Sequence, residues 1–264
     1  MSESIIVQTT DLTKIFHMGE SDIFAVNRVD LEVYSGELIT FMGVSGSGKS
    51  TLLHLIGGID NPTAGTILSC DRILNELSEG DLAEYRKSDV GFVFQFENLS
   101  PILTAKENVE LPMRILGMAR EERIKRTNEL LSWVHMRNRA NHPPHALSGG
   151  ERQRIAVLVA LANDPKLILA DEPTGELDSE NSKVLSDIFT NLSKEFGKTI
   201  ILVTHDPGIA QIGDKKYEMK DGEIIGEIKP QQFASFCSDC FGKEDVRYCS
   251  GCGKKLRLSH KEDY

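Results

Sequence analysis

The sequence has no apolar run long enough to cross a bilayer. Its longest, Ile155 to Ala162, falls far short of the ~18 residues a membrane helix needs. Positive charge is also in deficit. With 30 Lys and Arg against 40 Asp and Glu, the net charge is −10, which makes nucleic acid a poor default partner. The opening Met1-Ser2-Glu3-Ser4 is acidic and leads straight into a strand pattern, unlike a secretory or transit peptide. Cysteine is scarce until the end: of five, four fall in the last thirty residues. In a reducing compartment that clustering points to metal rather than disulfides. These absences predict a soluble, cytosolic chain, one that can still sit against a membrane protein. Its 264 residues suffice for one large domain and a small appendage.

What is present centres on Gly43-Val44-Ser45-Gly46-Ser47-Gly48-Lys49-Ser50-Thr51. The apolar run Leu38–Met42 precedes it and Leu52–Ile56 follows, so the order is strand, loop, helix. A Gly-rich loop in that setting cradles phosphate through backbone N–H groups and the positive end of the helix. Lys49 can reach the β- and γ-phosphates of a nucleoside triphosphate, and the Ser50 hydroxyl can ligate Mg²⁺. Upstream, Ile5–Val7 reads as a short strand and Phe24–Val33 as one face of a hairpin, together a small antiparallel sheet. Phe16 lies where an adenine could stack on it, although standing alone it would be read first as a core or surface aromatic.

Three further runs read as buried strands that deliver polar residues at their carboxyl ends. Val90–Phe94 leads to Gln95, Leu167–Ala170 to Asp171 and Glu172, and Thr199–Thr204 to His205. In an open α/β sheet, ligands bind at that edge. Gln95 could contact Mg²⁺ or an attacking water, Asp171 suits outer-shell contact with Mg²⁺, and Glu172 suits polarising a water. Each alone would be an ordinary polar strand end. Ser78–Lys87 reads as a short polar helix. Phe96–Gly117 reads as loop then helix interrupted by Pro101 and Pro112, with more helix over Glu121–Val134. Leu147-Ser148-Gly149-Gly150-Glu151 opens another helix, where Ser148 and Glu151 complete a capping box. It is either a well-capped helix or a second phosphate-binding helix start. One chain cannot easily bring both helix starts to one nucleotide, whereas two chains head to tail can.

In order and spacing, Gly43–Thr51, Gln95, Leu147–Glu151, Asp171-Glu172, Glu176-Leu177-Asp178 and His205 resemble the ATP-binding cassette (ABC) ATPases over roughly residues 4–228. Ala170–Gly175 and Leu103–Val109 look like the macrolide-efflux, lipoprotein-release and cell-division branch. The resemblance implies an α/β P-loop NTPase fold: a mixed-sheet core, an antiparallel β subdomain and a helical insert at about 96–163, the cassette spanning 1–228. It implies two cassettes, identical or not, that sandwich two ATPs, each phosphate loop facing the other chain's Ser148, Gly149, Gly150 and Glu151. Glu172 is then the general base, His205 contacts the γ-phosphate and Asp178 signals across the interface. The expected partner is an integral membrane permease, which places the chain peripherally on the inner face of the cell membrane. The loop after Gln95, Phe96 through Met113, would receive the permease, with Phe96, Leu99, Ile102 and Leu103 as apolar contacts. The sequence departs from the pattern at Glu176, where the branch usually has Asn, at Val159, where an Arg commonly follows the signature, and at Pro143-Pro144.

Lys229–Ser235 reads as a linker, and 236–264 as a zinc-ribbon-like tail. Cys237-x2-Cys240 and Cys249-x2-Cys252 suit tetrahedral Zn²⁺. Cys70 stands apart as a buried apolar residue. A rival reading is a soluble ABC ATPase whose tail recognises a partner. Soluble relatives usually carry two cassettes or a long coiled coil, and this chain has neither pattern.

Overall fold

The computed structural model describes residues 4–228 apart from 20, 97 and 176. The linker and the four tail cysteines therefore lie outside the described residues, as does Glu176. Strands β1 (Ile5–Met18) and β2 (Ser21–Tyr34) form a long hairpin, and β3 (Leu38–Met42) leads into α1 (Lys49–Ile56). Then follow β4 (Ala64–Ser69), β5 (Arg72–Ile73), α2 (Glu79–Ser88) and β6 (Val90–Val93). Helices α3 (Ala105–Ile115), α4 (Arg120–Trp133) and α5 (Gly149–Leu161) come next. The chain continues through β7 (Leu167–Asp171), α6 (Ser179–Lys194), β8 (Thr199–Thr204) and α7 (Pro207–Ala210) to the hairpin β9 (Lys215–Lys220) and β10 (Glu223–Glu227).

Two sheets result. An antiparallel one has the order β2-β1-β4-β5, and a mixed one the order β10-β9-β3-β8-β7-β6. In the second, β3 pairs in parallel with β8 and β9, and β7 with β6 and β8; only β10 runs antiparallel. Every residue of β3 and β8 is buried, because both faces of this sheet are covered. Alternation then divides the core. Phe41, Leu169 and Val203 pack with α1 and the antiparallel sheet, while Leu38, Ala170 and Leu202 pack with α3, α5 and α6. The apolar run at Ile155–Ala162 belongs to α5, whose residues there are buried except Val159.

The first strand is much longer than Ile5–Val7. It runs 14 residues to Met18 because bulges between Thr9 and Lys14 bend it without ending it, with Asp11 at φ 48°. Pro112 does not interrupt its helix either. Inside α3 it forfeits one backbone hydrogen bond, at a cost of about 3 kcal/mol. The Thr104–Glu107 capping box and full burial of Ala105, Val109 and Met113 offset that loss.

Candidate nucleotide site

The carboxyl ends of β3, β6, β7 and β8 lie along one edge of the mixed sheet, and they bring together the phosphate loop, Gln95, Asp171-Glu172 and His205. The loop is tightly built. A Cβ at Gly43 would lie 2.2 Å from the Met219 carbonyl oxygen, and Gly48, at φ +99°, ends the loop and caps α1. Only glycine satisfies both positions. Lys49 is 3% exposed, and its ammonium donates to the carbonyls of Gly43 at 2.8 Å and Val44 at 2.9 Å, and to Ser47 Oγ at 3.3 Å. Burial lowers its pKa, opposed by the carboxylates of Glu172 and Asp171. The lysine charge is thus folded against its own loop, facing two acids.

Ser50 Oγ donates to Asp171 Oδ1 at 2.9 Å, joining the first turn of α1 to the end of β7. Burial raises the Asp171 pKa, against the Ser50 hydrogen bond and the neighbouring His54 and Lys49. A hydroxyl and a partly desolvated carboxyl at a phosphate loop are the hard oxygen donors Mg²⁺ requires, so the residues fit that ion. Glu172 follows with φ 43°, a left-handed conformation costly for a residue with a Cβ. Its N–H donates to the Val203 carbonyl at 2.9 Å, pinning it to β8, and its carboxylate Oε2 meets His205 Nδ1 at 3.0 Å. Gln95, half-buried past β6, reaches the turn after Glu172: its Nε2 would lie 3.1 Å from a Cβ at Gly175. Phe16 is 41% exposed on the β1–β2 hairpin, opposite Ile23, with the Lys14 ammonium 5.1 Å from its ring centroid.

Ser148, Gly149, Gly150, Glu151 and Asp178 form a second cluster at the starts of α5 and α6. Ser148 N–H donates to Glu151 Oε2 at 2.8 Å, and Ser148 Oγ accepts from Glu151 N–H at 3.2 Å, so the capping box forms. The Ser148 N–H holds the Glu151 carboxyl below its usual range, helped by Arg139 at 2.9 Å. Ser148 and Asp178 are exposed at the surface. Among the described residues, the hydrogen bonds of this cluster run within α5 and α6 and to Arg139, and none reaches the phosphate loop. The two clusters share no hydrogen bond among the described residues.

Sequence reasoning missed a groove of about 830 Å³ beside β6, lined by Phe92, Phe94, Leu99, Leu111, Ile115 and Val159 among others. The rings of Phe92 and Phe94 stack at 5.3 Å. Of the four residues expected to contact a permease, Leu99 lines the groove. Phe96 and Ile102 are 61% and 89% exposed outside it. Val159 forms part of its wall, a full helix length from Ser148 at the start of α5. The one readable signal was that Phe92 and Phe94 alternate along β6 and its exit, placing both rings on one face.

Comparison with known proteins gives the family. A model of the ABC transporter family matches residues 26–175. An ABC transporter ATP-binding protein of Methanocaldococcus jannaschii, MJ0796, is 44% identical over 86% of this chain and 99% of its own. A lipoprotein-releasing system ATP-binding protein, LolD, of Bacteroides thetaiotaomicron is 41% identical over 83% of this chain and 99% of its own. The dimeric post-hydrolysis structure of MJ0796 with ADP and Pi superposes with a TM-score of 0.79, covering 84% of this chain and 98% of that one. No described helix is long and apolar enough to cross a membrane. The chain belongs to the ABC transporter family, as its ATP-binding, ATP-hydrolysing cassette.

Proposed function

We propose that this cassette drives a membrane complex by pairing with a second cassette around two ATPs, each bound between one chain's phosphate loop and the other's Ser148–Glu151. The observation that supports the reading is that the Ser148–Glu151 helix start and the phosphate loop share no hydrogen bond among the described residues. The loop amides of Ser45, Gly46, Ser47, Gly48 and Thr51 and the Lys49 ammonium bind the phosphates, and Phe16 stacks on the adenine. Ser50, Asp171 and Gln95 would hold Mg²⁺, which neutralises charge on the β- and γ-phosphates. Glu172 accepts a proton from the water whose oxygen attacks the γ-phosphorus, as the bond to the bridging oxygen of ADP breaks. His205, hydrogen-bonded to Glu172, contacts the γ-phosphate. Across the seam, Ser148, Gly149 and Gly150 offer N–H groups to the same phosphate, with Glu151 fixing that helix start and Asp178 beside it.

The apolar groove beside β6 is the seat of the permease, which places the cassette on the inner face of the cell membrane. A relative that serves a lipoprotein-releasing system supports that assignment. Residues 1–228 make up the cassette, 229–235 a linker, and 236–264 a tail folded by Zn²⁺ on Cys237, Cys240, Cys249 and Cys252. Lys229 to Tyr264 holds seven Lys and Arg against five Asp and Glu, so four thiolates on Zn²⁺ leave the module neutral. That charge favours a protein partner over nucleic acid. Affinity purification from membranes, with mass spectrometry of what accompanies the chain, tests the whole reading. A polytopic membrane protein is the expected companion, and a chain recovered only from soluble assemblies contradicts the assignment.

A further inference from the structure

Asn181 sits where the two exposed parts of the second cluster meet. Its backbone N–H donates to Asp178 Oδ1 at 2.8 Å, and its side-chain Nδ2 reaches both oxygens of the same carboxylate, at 3.1 and 3.0 Å. These bonds hold the Asp178 carboxyl below its ordinary range, the backbone N–H contributing most. The other end of the amide faces α5. A Cβ at Gly150 would fall 2.0 Å from Asn181 Oδ1, so the side chain lies flat on the glycine backbone. Arg154 Nη1 approaches the same oxygen at 3.5 Å. One residue earlier, a Cβ at Gly149 would lie 3.7 Å from Leu177 Cδ2, and Leu177 packs into the core beneath α5.

The loop carrying Asp178 and the start of α6 thus pack closely on the first turn of α5, where Gly149 and Gly150 leave room for Leu177 and Asn181. An ordinary helix cap would explain the bond from the Asn181 N–H to Asp178. It explains neither the amide spanning both carboxylate oxygens nor the contact with Gly150, which lies on another helix.

We infer that Asn181 is a positioning residue acting in trans: it locks Asp178 to the Ser148–Gly150 helix start, so both meet the partner's ATP as one rigid unit. The inference rests on the two-chain reading above, in which these residues serve the opposite nucleotide while Lys49, Glu172 and His205 serve their own. Replacing Asn181 then leaves the chain's own phosphate site intact and misplaces donors at its partner's. Misplacement of that kind lowers turnover rather than substrate binding.

Hybrid dimers separate the two directions. Two differently tagged full-length copies are paired with ATP, one subunit carrying Glu172→Gln, so that hydrolysis proceeds only in the other subunit's site. With Asn181→Ala in the same subunit as Glu172→Gln, single-turnover hydrolysis is expected to fall at least about tenfold, with KM little changed. With Asn181→Ala in the hydrolysing subunit, the rate stays near that of the unsubstituted hybrid, an internal control for folding. Asn181→Asp, of the same shape but repelling Asp178, must not rescue; if it restores the rate, the residue acts by packing alone and the inference fails. Equal loss in both arrangements, or none in either, also overturns it. A chain that stays monomeric with ATP, with the partner cassette also supplied, overturns the two-chain reading itself, and light scattering distinguishes that failure from the others.

Discussion

His205 Nδ1 lies 3.0 Å from Glu172 Oε2, a bond between the ends of the adjacent strands β7 and β8. Glu172 reaches it from a left-handed backbone position, φ 43°, anchored by its own N–H on Val203. Backbone strain of this kind clusters at active sites. The pair fixes the orientation of the Glu172 carboxylate. His205→Ala is therefore expected to reduce kcat roughly 10²-fold while ATP affinity, measured by equilibrium binding, changes little. A parallel loss of affinity would assign His205 to ground-state binding instead.

Asp171 sets stability against function. Its folded pKa is raised, by burial first, so the ionised carboxyl favours unfolding. Stability associated with this group is fully present below the ordinary carboxyl pKa and is lost as pH rises through the folded value. Asp171→Asn keeps an acceptor for Ser50 and carries no charge. The nucleotide-free variant should melt above the wild-type chain at pH 7, with the difference vanishing near pH 4. Mg²⁺-dependent enhancement of ATP affinity should be lost in the same variant. A lower melting temperature at pH 7 would show that Asp171 is stabilised, not strained, by its surroundings.

The groove beside β6 yields a third expectation. Leu99→Glu places a charge among Phe92, Phe94, Leu111 and Val159, which a docked apolar surface cannot tolerate. The basal ATPase rate of the isolated cassette should remain within about twofold, since Leu99 lines the groove and not the nucleotide site; an unchanged melting temperature checks that the fold is kept. Co-purification with the permease should be lost. Full retention would move the docking surface elsewhere.

For the tail, Cys249→Ser with Cys252→Ser should remove close to one bound Zn²⁺ per chain, read by elemental analysis of reduced, metal-replete protein. If Zn²⁺ folds the tail as proposed, its amide exchange should rise while the ATP site keeps its affinity. Zinc absent from the unsubstituted protein contradicts the ribbon.

Much of the nucleotide site was legible because its chemistry is carried by contiguous residues at strand ends. Gly43–Thr51, Asp171-Glu172 and His205 need only the correct strand order to meet, and the parallel pairing of β3, β8 and β7 supplies it. What was hidden depends on contacts between elements. The groove draws residues from β6, α3 and α5, and Val159 joined it only once α5 was packed. Asn181 looks like any polar residue in a first helical turn until Gly150 is seen beneath it. The length of β1 was concealed by bulges, which break the period-two pattern that marks a strand. Pro112 misled because local propensity was overridden by burial of Val109 and Met113.

The central claim is that ATP closes two of these chains, or this chain and a partner cassette, around shared sites. The most direct measurement is light scattering of Glu172→Gln with excess Mg²⁺-ATP. The variant should hydrolyse 10²–10⁴-fold more slowly than the unsubstituted chain and accumulate as a dimer holding two ATPs, reverting to monomer when nucleotide is removed. A species that remains monomeric at saturating ATP, with the partner cassette also supplied, would contradict it.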